Sequence, residues 1–169
     1  MSHRVQLSAA LAGALLLLAQ PSAAQDSVKV MQARTYDGQF RPIQQTSGGV
    51  GMRGSQRIFG QVRIVFREST DRSRVTLMIN TSLNQTEILN WSANPGRCGS
   101  GTPAFMPIAQ FPGIEMGTNG RGEIDVQEMQ LVIPPGSGNV HVNVYRGGTG
   151  LENVIACSNL KLVEEKKKK

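Results

Sequence analysis

The apolar residues of this chain alternate, and no stretch sustains a helical period. Residues 139–145 carry the strictest pattern. Val140, Val142 and Val144 fall on one side, and Asn139, His141, Asn143 and Tyr145 on the other. A period of two is a strand with one face against a core. The pattern recurs at 58–68, where Val62, Ile64 and Phe66 share a face. Gln61, Arg63 and Arg67 lie opposite, with Val65 the one apolar exception. It recurs at 74–80 through Val75, Leu77 and Ile79, and at 87–95 through Leu89, Trp91 and Ala93. Further strands are expected within 26–45, with a turn at Asp37-Gly38, and at 123–133 and 153–163. Residues 69–73, 81–86, 134–138 and 146–152 carry turn chemistry. Residues 96–122 are rich in Gly and Pro and predict one long loop. Seven or eight short strands between turns predict an all-β fold, an antiparallel Greek-key sandwich or barrel.

The chain divides into three parts. Residues 1–24 have a basic start, an apolar run at 7–19 and small residues before Gln25, the pattern of a secretory signal peptide. The run is shorter than the roughly 20 residues of a membrane span. Residues 25–163 suffice for a single domain with its own core. Residues 164–169 form a charged tail expected to be disordered, and Lys166, Lys167, Lys168 and Lys169 offer weak contact with an anionic surface. This predicts a secreted or periplasmic protein. In such a compartment the two cysteines, Cys98 and Cys157, are most simply one disulfide, with a free catalytic thiol as the alternative.

Cys98 sits in Leu-Asn-Trp-Ser-Ala-Asn-Pro-Gly-Arg-Cys at 89–98, with the only tryptophan, and Cys157 in Val-Ile-Ala-Cys-Ser-Asn-Leu at 154–160. With the 139–145 strand between them, these motifs resemble the copper/zinc superoxide dismutase family, above all its divergent secreted relatives, over residues 60–162. The resemblance implies a superoxide-dismutase-like, immunoglobulin-like architecture and a bridge between the two cysteines. It does not carry the metal ligands across. Ser92 and Asn94 stand at the family's His-x-His positions and Tyr145 at its late copper-ligand position. Residues 101–121, where the family builds its zinc site, hold no His or Asp. Copper and zinc need a compact set of imidazoles, thiolates or carboxylates. Arg146 lies near the family's anion-guiding arginine, but its surroundings do not match.

No metal, other cofactor or catalytic set is therefore expected. The candidate binding face is the outward polar side of two strands: Asn90, Ser92, Asn94, His141, Asn143 and Tyr145. His141 is the one histidine after residue 24 and reads as an exposed strand residue. The alternative function is metal handling, or dismutase-like activity at an atypical copper site, with His141, Tyr145 and the scattered methionines as ligands. A third is envelope binding through the lysine tail and the eight arginines between Arg34 and Arg74. Those arginines have few interleaved aromatics, so nucleic acid is not an expected partner. The Gly49–Gly54 match to a dinucleotide fingerprint lacks the following helix and reads as a turn. Sequons at Asn80, Asn84 and Asn90 matter only in a glycosylating host.

Overall fold

The computed structural model describes residues 33–43, 57–82 and 86–163. These residues form strands and connecting loops with almost no helix. The strands are β1 (Ala33–Pro42), β2 (Ile58–Arg67), β3 (Arg72–Thr81), β4 (Glu87–Pro95), β5 (Ile114–Met116), β6 (Arg121–Met129), β7 (Val140–Tyr145) and β8 (Val154–Val163). They close into a barrel in the order β1-β2-β3-β6-β5-β4-β7-β8, with every neighbouring pair antiparallel. Among the described residues the helical segments are two single 3₁₀ turns, Ile108–Gln110 and Leu151–Asn153. The closure is narrowest at β5, which pairs with β4 over Glu87–Leu89 and with β6 only at Gly122.

The alternating apolar sets all point into the barrel. Val62 and Ile64, then Val75, Leu77 and Ile79, then Leu89, Trp91 and Ala93, then Val140, Val142 and Val144 form one buried cluster. Trp91 is its largest member. Its ring meets Phe111 edge-on at 4.7 Å, and its indole N–H donates to the Pro112 carbonyl at 2.7 Å. Full burial of each large apolar side chain contributes about 1.5–3 kcal/mol. The loop after β4 thus closes one end of the core.

Four expectations need correction. Asp37-Gly38 is not a turn but lies inside β1. A Cβ on Gly38 would come within 2.2 Å of Ser158 Oγ, so the glycine serves the close approach of β8. Residues 96–122 are not all loop, because β5 and the start of β6 lie within them. The strand expected to 133 ends at Met129. Leu131 and Ile133 stay buried, but their carbonyls accept from Ser73 Oγ at 2.6 Å and Arg34 Nη2 at 2.6 Å instead of from a strand. The fourth correction concerns the polar face of β4 and β7, described below. The expectations for the signal segment, Val28, Val30, Met31, the 46–55 loop and the lysine tail fall outside the described residues.

Candidate functional site

Antiparallel pairing sets Ser92 opposite Asn143, Asn94 opposite His141 and Asn90 opposite Tyr145. All six candidate residues therefore share the outer side of one β4–β7 ribbon. That face is not open to solvent. Ser92 is 0%, His141 1%, and Asn94, Asn143 and Tyr145 each 3% exposed, with Asn90 half-buried. The reading of His141 as an exposed strand residue is overturned. The loop after β4 crosses over the face, and Asn94 Nδ2 donates to its Thr102 carbonyl at 2.8 Å.

The polar groups satisfy one another in sequence. Asn143 Nδ2 donates to Tyr145 Oη at 3.3 Å. Ser92 donates to Asn94 Oδ1 at 2.6 Å, so in the 2.8 Å contact of Ser92 Oγ with Tyr145 Oη the phenol is the donor. Asn94 passes the chain to the Thr102 carbonyl, and the Thr102 hydroxyl separately donates back to the Pro95 carbonyl. Donors and acceptors run one way from β7 through β4 into the loop, an arrangement in which each bond polarises the next.

His141 stands at the end of this chain. Its Nε2 lies 3.4 Å from Asn143 Nδ2, and accepting that hydrogen bond makes the ring neutral with the proton on Nδ1. Burial pushes its pKa below 6.5, opposed in smaller measure by the Gly96 backbone. His141 Nδ1 and Asn143 Oδ1 are buried without a hydrogen-bond partner among the described residues.

The donor set can be weighed against copper and zinc. It comprises one imidazole, two hydroxyls and amide groups, and most of these atoms are already committed to each other. It does not fit either metal. Among the described residues no group of three His, Cys, Asp or Glu side chains could hold an ion. Met116 and Met129 lie in the barrel core, on the other side of the sheet from these groups, and cannot complete a thioether site there. Arg146 is a bidentate partner of Glu87 at 2.7 and 2.8 Å, joining the end of β7 to the start of β4.

Cys98 and Cys157 form a disulfide, with their Cα atoms 5.9 Å apart. Cys98 N–H also donates to Asn159 Oδ1 at 2.9 Å. Cys157 pairs with Asn143 on one side and with Arg41 on the other. The bridge thus divides the barrel's outer surface. On the β7 side lies the covered polar cluster. On the β1 side a groove of about 1170 Å³ opens over β1, β2, β3 and β8.

Four cations line this groove, Arg41, Arg63, Arg74 and Lys161, against one carboxylate, Asp37. Arg63 grips Asp37 through two 2.7 Å hydrogen bonds, and Arg74 grips Asp125 at 2.7 and 3.1 Å. These partners hold both aspartates below the usual carboxylate range. Neither Arg41 nor Lys161 has an ion-pair partner among the described residues. The candidate binding face taken from the sequence does not include this groove, although the eight arginines of the envelope-binding alternative include Arg41, Arg63 and Arg74. Its signal is the basic outer row of β2, Arg63 and Arg67, but the residues from β1, β3 and β8 join it only through strand pairing.

Compared with known families and with curated proteins, the chain matches no family model and no curated protein.

Proposed function

We propose that this chain is an exported, non-enzymatic barrel protein with a binding or structural role in the periplasm or outside the cell. The observation that carries this reading is the closed hydrogen-bond chain from Asn143 through Tyr145, Ser92 and Asn94 to Thr102. Those positions answer to metal-ligand positions in the superoxide dismutase family, which this sequence resembles. Here their polar atoms are spent on one another and on the covering loop. The strand order supports a Greek key of the same kind, since β7 returns to lie beside β4 in the run β7-β4-β5-β6. The disulfide accords with an oxidising compartment, as does the signal-like start of the chain.

Metal analysis of the purified protein after dialysis tests the reading. Less than a tenth of an equivalent of copper or zinc is expected; a stoichiometric amount would overturn it. Mass analysis of protein recovered from outside the cytoplasm is expected to place the first residue at Gln25.

One observation favours the metal-handling reading as a second. His141 Nδ1 and Asn143 Oδ1 are buried without a hydrogen-bond partner among the described residues, and an ion that displaced the Nδ1 proton would find one imidazole nitrogen and one amide oxygen there. Copper retained by the native protein and lost in His141→Ala would establish it.

A further inference from the structure

We infer that the groove over β1, β2, β3 and β8 binds an acidic polysaccharide through its carboxylate or sulfate groups. The inference extends the binding role proposed above and places it on the open side of the disulfide. The lining carries four cations and one carboxylate, and Asp125 beside it pairs with Arg74, so Arg41 and Lys161 remain as a surplus of two positive charges. Arg63 and Arg74 are held in place by their carboxylate partners, and each keeps further N–H groups to offer. Arg41 and Lys161 offer their whole charge.

The spacing of the cations narrows the ligand. Arg63 pairs with Asp37, and Asp37 with Lys161, so two strand steps, about 9.5 Å, separate the backbone positions of Arg63 and Lys161. Arg41 lies four residues along β1 from Asp37, about 13 Å farther down the groove. These backbone positions spread the cations along the groove rather than clustering them. They suit a polymer with one charged group per repeating unit. Between the cations stand Gln39, Gln61, Thr76 and Asn159, whose amides and hydroxyl can both donate to and accept from sugar hydroxyls.

Two other polyanions fit less well. The lining holds no aromatic side chain, so nucleobases have nothing to stack on. The large exposed apolar side chains Phe59, Ile88, Val132, Leu151, Leu162 and Val163 lie outside the lining, which offers a lipid surface only Pro42 and the half-buried Ile43 and Val65.

The test is calorimetric titration of the full chain at fixed salt with polygalacturonate, dextran sulfate and uncharged dextran. Binding to one or both charged polymers, and not to dextran, is expected; the tighter of the two identifies the recognised group. Arg41→Gln/Lys161→Gln is expected to weaken binding about ten-fold, whereas Arg57→Gln/Arg121→Gln, which removes the same charge outside the groove, changes it less than about two-fold. Equal loss in both double variants would reduce the effect to net charge and overturn the site. So would loss on deleting Lys166–Lys169 with the groove variant unaffected, or tighter binding to single-stranded DNA or anionic vesicles. Thermal unfolding of each variant confirms that the fold is retained. Copper found in the metal analysis would sink the non-enzymatic reading without touching these outcomes.

Discussion

The Ser92 and Tyr145 hydroxyls meet at 2.8 Å, diagonally across β4 and β7, with both residues buried. Neither side chain has water as an alternative partner, so each depends on the other. Their contact joins the β7 half of the polar cluster to the half tied into the covering loop. It makes this face of the sheet a second, hydrogen-bonded core layer. Every residue of β7 is accordingly buried, on both faces.

Tyr145→Phe removes the donor to Ser92 and the acceptor for Asn143. The cost is expected to be about 1–3 kcal/mol, the penalty for leaving buried polar groups unmatched. Ser92→Ala should cost a similar amount. The double variant should lose less than the sum, with a coupling of about 0.5–3 kcal/mol. Urea denaturation of the three variants measures this, and additive losses would show that the hydroxyls act independently.

The disulfide closes a sequence separation of 59 residues. In the chain-entropy model such a crosslink stabilises by about 4 kcal/mol. Cys98→Ser/Cys157→Ser should therefore unfold at markedly lower denaturant. It also frees the loop that carries Thr102, so Asn94→Ala should cost less in that background than in the native one. Unfolding midpoints of the four proteins decide this; an equal cost of Asn94→Ala in both would mean that the loop stays seated without the bridge.

The strands with one apolar face were legible because alternation is a local property. β4 is found at the same residues that its pattern predicts. β5 has only Ile114 and Met116 to mark it, two residues too few to establish a period, and Gly113 and Gly117 flank it. The side of the sheet taken by Ser92, Asn94 and His141 was also legible. Their burial was not, because it depends on a loop that returns over the strand, and polar side chains look the same to a pattern whether water or Thr102 satisfies them. The groove was least legible, since Arg41, Arg63 and Lys161 come together only through the register of three strands.

Gly38 and Gly60 both sit in strands, where glycine is ordinarily unfavourable. A Cβ on Gly38 would meet Ser158 Oγ and Leu160 Cδ2, side-chain atoms that can shift. A Cβ on Gly60 would lie 2.1 Å from the Met78 carbonyl oxygen, which belongs to the paired backbone of β3 and cannot. Gly38→Ala should cost about 1–3 kcal/mol, as overpacking does, and Gly60→Ala more. Thermal melts of the two variants test the order, and the reverse order would contradict the packing between β2 and β3.

His141 gives the fold a dependence on pH. Burial holds its folded pKa below the value of 6.5 that it regains on unfolding. The unfolded chain therefore binds the proton more readily. The neutral ring's contribution is complete above pH 6.5 and is lost as pH falls from there toward the folded pKa. Asp37 and Asp125 also have lowered values, but their ordinary pKa is 3.8, so their loss begins nearer pH 4. The interval between about pH 6.5 and 5 belongs to His141. Across it the native protein should lose stability, and His141→Gln, though less stable at pH 7.5, should melt at a nearly constant temperature. A variant that kept the native slope would place the titrating group elsewhere.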